Sequence, residues 1–239
     1  MGLAKRIIPV ILHKAGQLVK GQNFVNDRVV GHALQAARIH AARGVDELLV
    51  LDITATAENR EPNYALTKAL AESNFSPLTV GGGVKTEDHV RKLLRSGADK
   101  VCIGKAAINN YKLIHRLASK FGSQCITVSI DYSKDELTHD LAIFLAKQYE
   151  AEGAGEILLQ SVDNDGTMKG YDLQLIIEVT KHLSIPVIAS GGCGSYRDMY
   201  LALRSGADAV AAGSMFLFEN CTPKGAAEYL DSKGIEVRV

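Results

Sequence analysis

Two glycine clusters stand where backbone amides could gather around an anion. Gly81-Gly82-Gly83 precedes Gly104-Lys105, and Gly191-Gly192 precedes Gly213-Ser214. Glycine lets successive N–H groups approach a ligand closely, and the N-terminus of a following helix adds a favourable dipole. The clusters predict two phosphate cradles, one with Gly82, Gly83, Gly104 and Lys105, the other with Gly191, Gly192, Gly213 and Ser214. The competing reading, that these glycines only form tight turns, is weakened because both clusters fall at the same register of an internal repeat. A ligand bridging both cradles would be long, with an anionic group near each end.

The repeat is explicit. Leu-Arg-Ser-Gly-Ala-Asp occurs at 94–99 and again at 203–208, an offset of 109. The offset also relates Gly44 to Gly153, Glu47 to Glu156, Pro77 to Pro186 and Gly104 to Gly213. The second half is a diverged copy of the first.

The elements that must position these residues alternate. Apolar runs at Arg6–Leu12, Glu47–Leu51, Pro77–Val80, Lys100–Ile103, Cys125–Ile130, Glu156–Gln160, Pro186–Ala189 and Ala207–Ala212 read as buried parallel strands. Helical patterns lie near 29–43, 61–73, 86–96, 110–120, 137–152, 171–182, 195–205 and 223–233. Eight βα units in a 239-residue chain predict a (β/α)8 TIM barrel with a two-fold half-barrel repeat. A doubly wound sheet would not predict that repeat. We expect one domain over 1–239, with half-barrels of about 1–122 and 123–239. The glycine clusters and the polar segments 13–31 and 162–171 follow strands, so they open on the C-terminal face, where barrels carry their chemistry.

Composition excludes several classes. Lys+Arg and Asp+Glu are both 27, giving zero net charge, and Trp is absent, which argues against nucleic-acid binding. No apolar run reaches the roughly 18 residues of a membrane span, and no signal-peptide core is present. The four cysteines lack CxxC spacing and read as reduced, buried thiols of a cytoplasmic protein. The histidines are dispersed, so no metal site is expected. No nucleotide fingerprint appears, and no cofactor is expected.

The chain resembles the cyclase-subunit family of imidazole glycerol phosphate synthase, a barrel of the histidine pathway. The resemblance rests on segments spread nearly end to end. They are Leu-Ala-Lys-Arg-Ile-Ile-Pro (3–9), Val-Lys-Gly-Gln-Asn-Phe-Val-Asn (19–26), Asp-Glu-Leu-Leu-Val-Leu-Asp-Ile-Thr-Ala (46–55), Pro-Leu-Thr-Val-Gly-Gly-Gly (77–83), Phe-Gly-Ser-Gln-Cys-Ile (121–126), Gly-Ala-Gly-Glu-Ile-Leu-Leu (153–159), Asp-Gly-Thr-Met-Lys-Gly-Tyr-Asp (165–172) and Pro-Val-Ile-Ala-Ser-Gly-Gly (186–192). It implies a glutaminase docked on the N-terminal face, whose ammonia crosses the barrel core to a two-phosphate substrate. Arg6, Glu47, Lys100 and Glu156 begin four strands, can pair as a ring, and match the residues that gate ammonia in the family. A ring that only stabilises the barrel bottom is the plainer reading. Asp46 and Asp99 flank it and resemble partner-facing carboxylates. Asp165-Gly166 matches the family's second phosphate cradle. Lys20 matches the mobile-loop lysine that closes over substrate.

The chain also departs from the family. The resemblance implies two catalytic aspartates, ending the first and fifth barrel strands. Asp131 is present, but Leu12 fills the other position, and leucine cannot exchange a proton. His13 follows; it could bend inward at the strand end, or face away as a loop histidine. The segment 132–139 is shorter than the family's hairpin, and Gly104-Lys105 replaces Asn followed by Ser or Thr. Leu12-His13-Lys14 and Asn59-Arg60-Glu61-Pro62 resemble a branch linked to surface polysaccharides. On that basis the expected function is an ammonia-channelling synthase subunit of a glutamine amidotransferase, supplying a separate amidotransferase that amidinates a sugar. Its ligand would be a phosphorylated small molecule or nucleotide sugar. The alternatives are the histidine-pathway cyclase itself, and a non-catalytic phosphate-ligand-binding regulator of a glutaminase.

Overall fold

The computed structural model describes residues 4–22, 25–108, 110–135 and 137–239, so part of the 19–26 segment lies outside the described residues. Eight parallel strands close on themselves: β1 (Arg6–Lys14), β4 (Leu48–Asp52), β5 (Leu78–Gly81), β6 (Lys100–Ile103), β7 (Ile126–Tyr132), β8 (Glu156–Ser161), β9 (Val187–Ser190) and β10 (Ala209–Ala212). Closure comes from β10 pairing with β1 in parallel, from Arg6 against Ala209 to Pro9 against Ala212. The main helices wrap outside: α1 (Ala33–Ala42), α2 (Tyr64–Ser73), α3 (Glu87–Arg95), α5 (Tyr111–Phe121), α6 (His139–Ala151), α7 (Leu173–Thr180), α8 (Tyr196–Arg204) and α10 (Pro223–Ser232). This is the (β/α)8 TIM barrel.

Alternation along the strands creates two separate apolar layers. Ile7 and Ile11 of β1 join the layer under the helices, whereas Ile8, Val10 and Leu12 face the lumen with Leu49, Leu158 and Ile188. Among the described residues, no helix is long and apolar enough to cross a membrane.

The repeat is written into the hydrogen bonds. Asp99 accepts the Leu78 amide at 2.8 Å, and Asp208 accepts that of Val187 at 3.1 Å. The N-cap side chains of Thr86 and Ser195 accept from the His89 and Asp198 amides, starting α3 and α8. Asn63 and Asp172 do the same for α2 and α7. Every pair is related by the same offset of 109.

Elements beyond the expectation include a hairpin and two short α-helices. β2 (Gln17–Gln22) and β3 (Val25–His32) extend antiparallel from β1, where a loop was expected. The turn is Ala15-Gly16, both at positive φ (47° and 90°), which gives the strand-matching twist of a two-residue hairpin. Alanine at the first turn position hides the signal, because Asn, Asp or Gly usually marks it. The short helices α4 (Lys105–Ile108) and α9 (Ser214–Phe218) begin at the residues after Gly104 and Gly213.

Gly82 (φ 103°) and Gly191 (φ 90°) press against the carbonyls of Asp52 and Ser161, the last residues of β4 and β8. Gly82→Ala is expected to destabilise by about 2–4 kcal/mol, from backbone strain plus collision. Gly44→Ala, at φ 67° in open space, should cost only about 1 kcal/mol. Urea melts of both variants check this, and equal losses would contradict it.

Candidate active site

The N-terminal end of the lumen is crossed by a closed ring of ion pairs. Arg6 bonds Glu47 and Glu156, each at 2.7 Å, and Lys100 bonds the same two carboxylates, each at 3.0 Å. Glu47 is buried and also accepts from Thr79 Oγ1 at 2.5 Å. Burial opposes the Arg6 charge, but Glu156 and Glu47 outweigh it and hold the guanidinium above its ordinary pKa. Removing one member would strand its partners in a poorly solvated place. Asp46 accepts the Ile7 amide at 3.0 Å, so this carboxylate, like that of Asp99, anchors a strand start.

At the opposite end, β7 delivers Asp131 to the mouth. Its carboxylate accepts from Ser129 Oγ at 2.5 Å and lies close to Gly104. The residue is exposed to solvent, yet its carboxyl is raised: desolvation by the surrounding wall dominates, opposed by the Ser129 hydrogen bond and the Lys105 charge. Lys105, the first residue of α4, is exposed, whereas Ser214 is buried.

The structure brings Lys20 into the second glycine cluster. The hairpin lays this lysine, itself buried, over Gly213, in a cavity of about 20 Å³ lined also by Asp165, Gly166, Gly191, Gly192 and Ser214. Desolvation lowers the Lys20 amine and the Asp165 charge partly restores it. Asp165 is held by Gln160 Nε2 at 3.0 Å; burial raises its carboxyl, Lys20 and Gln160 lower it, and Asp131 adds repulsion. Amides, a lysine and a hydroxyl around one small space can bind an anionic oxygen group. In the first cluster Gly83 packs against the Arg60 carbonyl, so close loop packing also accounts for that glycine.

Leu12 faces the lumen and His13 does not. His13 is buried on the opposite face of β1, where its Nδ1 accepts the Gly16 amide at 3.2 Å and lies 3.8 Å from Asp52. An accepting Nδ1 belongs to the neutral ring. Burial lowers its pKa, with Arg60 adding to this and Asp52 opposing. Of the two orientations open from sequence, His13 takes the outward one, but within β1 and buried, not in a loop. Asp52 itself accepts from Arg60, Thr54 and Ala55 and so ties down the loop after β4.

These features define a duplicated half-barrel TIM barrel with a charged floor and a polar mouth. The model of the family described as "Histidine biosynthesis protein" matches residues 6–222. The chain is 44% identical over 250 residues to the imidazole glycerol phosphate synthase subunit HisF of Dictyoglomus thermophilum, covering 99% of each chain. It is 42% identical over 252 residues to the same subunit of Clostridium botulinum strain Okra, with 99% and 100% covered. It is 46% identical over 231 residues to that of Streptomyces coelicolor, with 91% and 92% covered. The chain therefore belongs to the histidine biosynthesis protein family. This overturns the expectation of a polysaccharide amidination subunit feeding a separate amidotransferase: the relatives carry the histidine-pathway subunit's name along their whole length. Leu12 and the short 132–139 segment are local changes and do not outweigh that likeness.

The raised Asp131 carboxyl carries a sign. The folded state holds its proton more tightly than the unfolded chain, so stability falls as pH rises above about 4, through the raised value. Asp131→Asn should raise the thermal midpoint near neutral pH, with the gain fading on acidification. Melting curves across that range check it, and a pH-independent difference would contradict it.

Proposed function

We propose that this chain is the cyclase subunit of an imidazole glycerol phosphate synthase, and so an enzyme of histidine biosynthesis. The observation that carries the reading is the full-length likeness to HisF subunits combined with Asp131 standing open at the mouth, opposite the charged ring. A glutaminase seats on the N-terminal face, and its ammonia passes the ring of Arg6, Glu47, Lys100 and Glu156. The two-phosphate substrate spans the mouth. One phosphate meets Gly82, Gly83, Gly104 and Lys105; the other meets Gly166, Gly191, Gly192, Gly213 and Ser214. Lys20 moves off Gly213 to admit that phosphate and then pairs with it.

Asp131 takes a proton from the incoming nitrogen. Leu12 removes the other acid–base group that the family resemblance implies, and His13 points away from the lumen. Asp165 is the carboxylate best suited to the second role. It lies at the mouth beside Lys20, and it feels the charge of Asp131. Asp131 is open to water while Asp165 is half-buried beside Lys20, and two carboxylates in unlike environments can act as base and acid.

The test is cyclisation by the purified chain with an ammonium salt as nitrogen source, and then with glutamine once the glutaminase subunit is added. Asp131→Asn should lower kcat by about 10²–10⁴ in both assays, the usual range for losing a general base. Asp165→Asn should lower kcat and remove one limb of the pH–rate profile. Turnover by Asp131→Asn at the wild-type rate would overturn the assignment.

A further inference from the structure

Two strand pairs end in residues that correspond across the repeat. His13 of β1 stands in register with Asp52 of β4, and Tyr132 of β7 with Ser161 of β8. Asp52 and Ser161 are related by the offset of 109. In the first half the space beside this pair is taken up by side chains. Arg60 reaches Asp52 at 3.0 Å, and His13 lies 3.8 Å from the same carboxylate. In the second half Ser161 is small, and Lys169, which the offset relates to Arg60, is exposed. A cavity of about 290 Å³ remains there, between the segments joining β7 to α6 and β8 to α7. It has room for roughly ten waters at about 30 Å³ each, far more than a packing flaw leaves.

The walls are held in place by the protein itself. The Lys134 amide donates to Asp163 at 2.9 Å, and the Val162 amide donates to the Tyr132 carbonyl at 3.0 Å, so the two segments are tied across the cavity. His139 Nε2 donates to Asp172 at 2.8 Å. The other oxygen of Asp172 caps α7 by accepting the Leu175 amide at 3.1 Å. The imidazole also meets the Tyr132 ring edge to face, at 77°. Its orientation is thereby fixed, and Nδ1 is its remaining polar atom.

The lining does not suit a phosphate. Asp163 and Asp172 outnumber Lys134, and no glycine lines the cavity among the described residues, unlike either cradle. Carboxylates, an imidazole and the Asn164 amide instead place acceptors beside donors. That mixture matches hydroxyl groups, each of which donates and accepts. The Tyr132 and His139 rings add apolar surface for C–H groups. Small-molecule pockets span about 300–1,000 Å³, so a cavity at the lower edge limits the ligand to the size of a monosaccharide.

We propose that this cavity is a second ligand site, for an uncharged, hydroxyl-bearing molecule of monosaccharide size, with His139 Nδ1 and Asp163 among its polar contacts. In the order of the barrel the site lies on β7 and β8, between the cradles that follow β5 and β6 and those that follow β9 and β10. Tyr132 follows Asp131 in sequence, and Asn164 precedes Asp165, so a molecule bound here bears on both carboxylates of the mouth. Two sources share this chemistry: a hydroxyl-bearing middle of the substrate that spans the mouth, and a separate small molecule. The site itself stands apart from the cyclase reading.

D-ribose is the probe, and inorganic phosphate is its charged counterpart. Nitrogen NMR of the histidine-labelled chain follows His139 Nδ1, assigned with His139→Phe, which keeps a ring beside Tyr132 and removes both nitrogens. Ribose should shift this resonance with a millimolar Kd, ordinary for a ligand of so few atoms, and phosphate should leave it in place. By calorimetry, His139→Phe should weaken ribose binding about fivefold or more, the order expected for one hydrogen bond. The absence of any ribose-induced shift in the wild type overturns the site, and decides the question even if the variant fails to fold. An equal shift with phosphate overturns the choice of an uncharged ligand, and unchanged ribose binding by folded His139→Phe overturns the role of His139. In the cyclisation assay, ribose that raises KM alone upholds the site as one for the middle of the substrate. Ribose that changes kcat alone upholds it as one for a separate molecule. If the chain does not cyclise at all, the cyclase reading fails while the NMR result still decides whether the site exists.

Discussion

The pleat of a closed barrel allows each strand residue only two destinations, the lumen or the layer beneath the helices. Most of this molecule's chemistry depends on that constraint. It sends Leu12 inward and His13 outward, so the histidine cannot stand in at the neighbouring place where the family resemblance implies an aspartate. It aligns Thr127, Ser129 and Asp131 on one side of β7 and puts Ile126, Val128 and Ile130 on the other. It also gathers Arg6, Glu47, Lys100 and Glu156 at one level, where each cation meets both carboxylates. Any single member would be hard to keep charged so near the core; together they satisfy one another.

Duplication is the second organising fact, and it operates at the level of hydrogen bonds. The aspartates ending the two Ser-Gly-Ala-Asp turns anchor equivalent strands, and the four helix caps recur at equivalent positions. The mouth has nevertheless diverged. Lys105 is exposed at the first glycine cluster, whereas the second is covered by the hairpin and its Lys20. A scaffold held by repeated backbone contacts can change the side chains at its mouth while its register stays fixed.

Much of this was legible in the residues. Strand and helix positions followed from the alternation of apolar runs with helical periodicity, and the barrel followed from their number and the repeat. The ring was readable because charges at strand starts are conspicuous in an otherwise apolar pattern. The hairpin was not, because Ala15-Gly16 is a weak turn signal and pairing with β1 is a tertiary property. The burial of Lys20 over Gly213 depends on that hairpin and was hidden with it. The cavity beside His139 was equally invisible, since an unfilled space can be recognised only when all its neighbours are known. Leu12, the short 132–139 segment, Gly104-Lys105 and Asn59–Pro62 pointed to another pathway, but they are local changes, whereas the likeness to HisF subunits spans the chain.

The central claim is that this barrel performs the histidine-pathway cyclisation although Leu12 occupies an acid–base position. The most direct measurement is growth without histidine of a strain lacking its own cyclase subunit, supplied with this chain and its glutaminase subunit. The account predicts growth, lost when Asp131 is replaced by Asn. Failure to grow, with the folded chain demonstrably expressed and a HisF subunit restoring growth in parallel, would contradict it.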